Sequence, residues 1–224
     1  LPSMTANQVI EKILRVSDKH MEDVGGLYGF SNRVKFIGRN DVHILYNGDR
    51  DTLNCILHLS GSGCRWFEKV LKYETINDWK DFLCRCYDAY AKTNFLRLDL
   101  AMDDCDGTLD IPSIVDDIKQ QRYVSRFKSF SVETSQKEIV KNNPMVAYTQ
   151  YCGGKRSEVR FCIYEKAKEL FFKHRISSLE LSESINRFEI RYLRSKAQAA
   201  VRELICGESF IDMFYGTINI YLNL

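Results

Sequence analysis

Arg97-Leu98-Asp99-Leu100-Ala101-Met102-Asp103 alternates between apolar and charged residues. Strand side chains point to opposite faces with period two, so Leu96, Leu98, Leu100 and Met102 share one face while Arg97, Asp99 and Asp103 share the other. Two later stretches repeat the pattern. In Glu158–Lys166, Val159, Phe161 and Ile163 oppose Arg160, Tyr164 and Lys166. In Arg187–Arg191, Phe188 and Ile190 oppose Arg187, Glu189 and Arg191. As neighbours in one sheet, these strands bury their apolar faces in a common core. The opposite face then gathers carboxylates, a tyrosine, a lysine and several arginines.

The surrounding chain supplies the rest of such a fold. Val9, Ile10, Ile13, Leu14 and Val16 recur at helical spacing within residues 5–20. Alternation predicts strands at 34–37, 42–46 and 52–60, separated by Asn- and Gly-containing turns. Ser60-Gly61-Ser62-Gly63 is a glycine loop able to approach a phosphate, but it lacks the lysine-serine pair of a P-loop. Helices are expected at 64–72 and 77–91, and after Ile111-Pro112, where proline suits a first turn. Strands are expected at 124–133 and 145–151. Gly153-Gly154-Lys155-Arg156-Ser157 reads as a hairpin turn. Short helices are expected at 165–174 and about 195–205, and the apolar stretch 208–222 as a further one. The fold class is α+β: a largely antiparallel sheet with helices on one face and catalytic residues on the opposite face. The expected organisation is an N-terminal helical segment at 1–27, a catalytic domain at 28–206 and a C-terminal apolar segment at 207–224.

Composition narrows the function. The 224 residues are 45% hydrophobic and 28% charged, as in a globular protein with a substantial core. No run of about 18 apolar residues suggests a membrane span. The eight cysteines form no CxxC pair, and with no secretory signal pattern, reduced thiols in the cytoplasm are expected. The net charge of +2 hides an asymmetry: residues 119–175 hold 13 Lys and Arg against 5 Asp and Glu, a net of +8. That excess suits an anionic partner, most commonly a nucleic-acid backbone.

The polar residues suit phosphodiester chemistry. A tyrosine with an ordinary pKa near about 10 is a weak nucleophile, but a nearby cation favours its ionised form. Tyrosine attack on a DNA phosphodiester conserves the bond energy in a phosphotyrosine ester, so the break can be resealed. Tyr164, with Lys166 nearby, suits that role; it also suits simple packing. Asp99 and Glu189 are hard oxygen donors appropriate to Mg²⁺ or Mn²⁺. Each equally suits an ion pair, Arg97 for Asp99 and Arg187 or Arg191 for Glu189. Asp103, Asp104 and Asp106 are further donors or members of a solvated turn before Gly107. The four histidines are scattered, with no His-hydrophobic-His motif, so a metal here is held mainly by carboxylates. Lys155, Arg156 and Arg160 are candidate contacts to a DNA backbone.

The order Arg97–Asp103, Gly153–Ser157, Ile163-Tyr164-Glu165-Lys166 with Glu169, then Arg187-Phe188-Glu189 resembles the replication initiation factor family. That family includes plasmid rolling-circle initiators and relaxases of integrative and conjugative elements. The resemblance spans roughly residues 28–200. It implies that Tyr164 is the nicking tyrosine, that Asp99 and Glu189 lie in a divalent-metal site, and that Lys166 and Glu169 belong to the same centre. It also implies action on mobile-element DNA. Two positions depart from the plasmid initiators, which commonly have Arg where Cys162 stands and Asn where Glu165 stands. The Leu57–Arg65 stretch looks more like the conjugative-element relaxases.

The expected function is therefore metal-dependent, site-specific DNA nicking and rejoining by a relaxase. The alternatives are a plasmid or phage rolling-circle initiator with the same chemistry, and a DNA-binding module that does not cut. The expected partner is single-stranded or locally melted origin DNA. A homodimer and a helicase or accessory transfer proteins are further candidate partners, and no membrane association is expected.

Overall fold

The computed structural model describes residues 6–48, 55–73, 78–89, 93–140, 143–173 and 185–223. The chain divides into two compact units, Leu1–Thr93 and Asn94–Leu224. The division falls inside the 28–206 stretch that the sequence suggested as one domain.

In the first unit, helix α1 (Ala6–Gln8) continues into a π-helical segment, Val9–Leu14, whose Val9, Ile10, Ile13 and Leu14 are buried. Arg15 ends it in the left-handed conformation, at φ 53°. The helix expected through residue 20 therefore stops early. Residues 1–27 are also not wholly helical, because Met21–Gly25 forms strand β1. β1, β2 (Phe30–Phe36), β3 (Val42–Gly48) and β4 (Cys55–Leu59) form an antiparallel sheet in sequential order. Helices α2 (Gly61–Tyr73) and α3 (Trp79–Asp88) follow. Phe67 is fully buried and meets Phe82 edge-on at 5.3 Å. The glycine loop is the first turn of α2. A Cβ at Gly63 would stand 2.2 Å from the Asp41 carbonyl oxygen. Gly63 thus serves the close approach of α2 to the chain before β3, which accounts for it without a phosphate.

The second unit holds a five-stranded antiparallel sheet in the order β5-β10-β9-β8-β7. Its strands are β5 (Arg97–Asp104), β7 (Phe130–Val140), β8 (Asn143–Cys152), β9 (Val159–Tyr164) and β10 (Asn186–Leu193). The three stretches that suggested the fold are thus neighbours. Ile190 stands opposite Leu100 on one side and Phe161 on the other. Helices α4 (Ile111–Lys119), α6 (Ser195–Cys206) and α7 (Phe210–Tyr221) contribute buried apolar residues. Phe127, Phe161, Phe188 and Phe214 form a relay of edge-to-face rings at 4.8, 5.1 and 5.6 Å, a geometry that adds to burial energy. A short β6 (Val124–Ser125) pairs with β11 (Leu222–Asn223), which ties down the end of α7.

The turn after β8 requires its glycine. Gly153 has φ +97°, and a Cβ there would lie 3.0 Å from the Val159 carbonyl oxygen. β8 and β9 then pair antiparallel, as the hairpin reading expects.

Candidate active site

The face of the five-stranded sheet opposite the aromatic core carries the candidate site residues of β5, β9 and β10. Across β5, β10 and β9 the register sets Asp103 opposite Arg187 and Arg187 opposite Tyr164. One step along, Ala101, Glu189 and Cys162 form the next row, and beyond it Asp99, Arg191 and Arg160.

Tyr164 closes β9 and is 9% exposed. Its hydroxyl donates to Glu189 Oε1 at 2.8 Å. The Lys166 ammonium stands 3.5 Å from the same phenolic oxygen. Lys166 was expected on the strand face and also within a helix at 165–174; β9 ends at Tyr164, and Lys166 opens helix α5 (Lys166–Phe172). From there its side chain returns to the phenol, 8% exposed, and pairs with Glu169 Oε2 at 2.5 Å. Lys173 also pairs with Glu169. Burial raises the Glu169 carboxyl, but hydrogen bonds from Lys166 and Lys173 outweigh it and leave the group below its usual range.

Burial pushes the Tyr164 phenol far above its ordinary pKa, and the neighbouring Glu189 charge pushes it further. Arg187, directly across the strand pair, pulls in the opposite direction. Tyr164 is therefore a protonated phenol hydrogen-bonded to Glu189, with the Lys166 side chain at its oxygen. A phenol in such a setting can be activated by proton transfer to the carboxylate while a neighbouring cation stabilises the phenolate.

Asp99 and Asp103 are held by arginines. Arg97 grips Asp99 with both forks, at 2.8 and 2.5 Å, and Arg191 approaches it at 3.4 Å. Arg187 grips Asp103 at 2.5 and 2.6 Å. Glu189 lies 4.0 Å from Arg187 and 3.8 Å from Arg191. The ion-pair arrangement left open by the sequence is thus present. Among the described residues, no three His, Cys, Asp or Glu side chains gather around a common metal position. The donor chemistry still suits Mg²⁺, which commonly takes one or two carboxylates plus phosphate oxygens and water.

The other expected residues are dispersed. Lys155 and Arg156 are exposed in the turn before β9, at the opposite end of that strand from Tyr164. At about 3.3 Å per residue the separation exceeds ~15 Å. Arg160 shares the face of Tyr164, four positions away along β9. Glu165 serves the scaffold: it accepts the Tyr148 backbone N–H at 2.8 Å and pairs with Lys168 at 2.6 Å. The acidic turn is self-contained, since Asp104 accepts the backbone N–H groups of Thr108 and Leu109. Sequence reasoning missed an open groove of about 450 Å³ beside Tyr164, lined by Ser135, Ala147, Thr149, Phe172 and Lys173 among others. Thr149 stands directly opposite Tyr164 across the β8–β9 pair. The small side chains alternating on β7 and β8 were its available signal.

Residues 93–224 match the family model described as replication initiation factor, and residues 1–85 match the model described as rolling circle replication initiation protein N-terminal domain. The chain belongs to the replication initiation factor family. A relative described as "Putative DNA relaxase NicK", from Bacillus subtilis (strain 168), is 29% identical over 217 residues. The match takes in 96% of this chain, which spans 59% of that relative's length. A solved rolling circle replication initiator protein from Geobacillus stearothermophilus superposes with a TM-score of 0.80 at 22% identity, covering 99% of this chain and 78% of the other. That likeness establishes the shared fold. Among the described residues, no helix is long and apolar enough to cross a membrane.

Proposed function

We propose that this family member is a DNA strand transferase of the relaxase type. Tyr164 is the nucleophile. Its phenolic oxygen bonds to a DNA phosphorus while the bond from that phosphorus to the 3′ oxygen breaks. Glu189 accepts the phenolic proton, and the departing oxygen takes up a proton to become a free 3′-OH. The product is a 5′-phosphotyrosine ester, and attack by a 3′-OH reverses the step. The observation that carries this reading is the buried contact of Tyr164 with both Glu189 and Lys166. Lys166 stabilises the phenolate as it forms, and Glu169 holds the ammonium in place.

Mg²⁺ or Mn²⁺ is the proposed cofactor, with Asp99 and Glu189 as its protein ligands. Asp99 must leave Arg97 and Arg191 to serve. When bound, such a cation polarises the scissile phosphate. The substrate is a single strand or locally melted origin, and the basic segment 119–175 supplies backbone attraction. The likeness to a protein described as a relaxase favours a transfer role. The N-terminal model match favours a second role with the same chemistry, in which the free 3′-OH primes rolling-circle synthesis.

The test is incubation with single-stranded origin oligonucleotides and Mn²⁺, followed by a denaturing gel. A covalent adduct is expected from the parent and none from Tyr164→Phe. A Phe variant that forms as much adduct as the parent would refute the assignment.

A further inference from the structure

The face that carries Tyr164 also holds two arginines in direct opposition. Arg160 on β9 and Arg191 on β10 are register partners. Like charges placed opposite each other across strands are destabilising, so the pair calls for an anion. The carboxylates nearby only partly answer it. Arg97 and Arg187 each hold an aspartate through two short hydrogen bonds. Arg191, by contrast, reaches Asp99 at 3.4 Å and Glu189 at 3.8 Å. Arg160 makes no ion pair among the described residues, and its Nε is buried with no hydrogen-bond partner. Its guanidinium lies over the Tyr151 ring, 4.1 Å from the centroid. Stacking fixes the plane of an arginine and leaves its edge available for an oxyanion.

We infer that Arg160 and Arg191 form a clamp for a second phosphate of the DNA strand, apart from the one Tyr164 attacks. The inference rests on the proposed nicking function. The clamp lies four residues along β9 from Tyr164, about 13 Å at ~3.3 Å per residue. Glu189 stands between the two positions, facing Cys162. A strand laid along the β9–β10 seam presents one phosphate to Tyr164 and another to the arginine pair. The clamp then sets the position of the strand, and so which phosphodiester meets the phenol. A phosphate oxygen between the arginines removes their repulsion. Arg191 also loosens from Asp99, which frees a carboxylate oxygen.

The experiment is a scan of oligonucleotides in which one linkage at a time is a neutral methylphosphonate. Binding is measured with the Tyr164→Phe protein, so that no covalent product interferes. A charge-assisted hydrogen bond lost at one linkage corresponds to about a tenfold loss of affinity. We expect one sensitive linkage displaced from the scissile position, and we expect that sensitivity alone to vanish when Arg160→Gln or Arg191→Gln is added. The salt dependence should also fall by about 0.7 per lost contact. Arg191→Lys retains charge without the fork and should recover part of the affinity, which separates the clamp from a folding defect. If every linkage keeps its effect in both Gln variants, there is no clamp. Adduct formation by the parent on unmodified DNA is scored separately, so the clamp can fail while nicking stands.

Discussion

The two sheets place similar residues on similar pleats and do different things with them. In the first unit, Glu22, Lys35, His43 and His58 form one row across the four strands. That row closes in neighbouring pairs: Lys35 holds Glu22 at 3.0 Å, and the His43 and His58 rings meet at 3.1 Å. In the second unit, the charged rows surround a phenol that is buried, hydrogen-bonded to a carboxylate and approached by a buried ammonium. Charge on a sheet face therefore does not mark chemistry. A desolvated phenol with a proton acceptor and a cation is the better indicator of a candidate site.

The largest test of this contrast is cofactor removal. Chelation with EDTA should abolish adduct formation, and Mn²⁺ should restore it. Asp99→Asn should require more Mn²⁺ for the same rate, measured by titrating adduct yield. Full activity in EDTA would leave Asp99 as an arginine partner and nothing more.

Glu189→Gln comes next. It keeps shape and removes the proton acceptor, so adduct formation should slow by about 10²–10⁴-fold. His58→Gln, in the paired row of the first unit, should leave the rate unchanged. Single-turnover gels with both variants measure the difference, and equal rates would erase it.

A smaller effect is expected in alkali. The Tyr164 pKa is raised, so the folded state keeps the proton after the unfolded chain has lost it. Its contribution to stability is whole below about pH 10 and is lost as pH rises through the folded value. Denaturant midpoints of the parent and Tyr164→Phe should therefore diverge from neutral to about pH 11, the parent losing more. Parallel curves would mean that the phenol is not desolvated.

The smallest effects concern the surface and the thiols. Asp103→Asn should cost no more than about 1 kcal/mol, because its pair with Arg187 is partly exposed. Exposed Cys105 and Cys206 should react readily with a thiol reagent. Cys162 should not: burial, then the Glu189 charge, pushes its thiol up to about 12. Fast labelling of Cys162 would mean that the site face is open to solvent.

Much of the second unit was legible because its strands obey a strict period of two. The apolar faces of the Arg97, Val159 and Arg187 stretches named the core, and Gly153 named the hairpin. The contacts that make the site were less legible because they depend on register. The offset that sets Glu189 opposite Cys162 brings its carboxylate diagonally to Tyr164, and no local pattern encodes an offset between strands so distant in sequence. Lys166 fell both in the strand stretch 158–166 and in the helix expected at 165–174, and the helix holds it, since Lys-Ala-Lys-Glu-Leu is good helix-forming sequence. Lys155 and Arg156 are adjacent to β9 in sequence, but a strand separates its two ends by its whole length. β1 was missed because five residues beside Gly25-Gly26 carry little alternation of their own.

The central claim is that one phenol forms the covalent link. The most direct measurement is peptide mapping by mass spectrometry of the protein–oligonucleotide adduct after nuclease and protease digestion. The account predicts a single modified peptide, with a 5′-linked nucleotide on Tyr164. A nucleotide on any other residue, or cleavage products with no linked peptide, would contradict it.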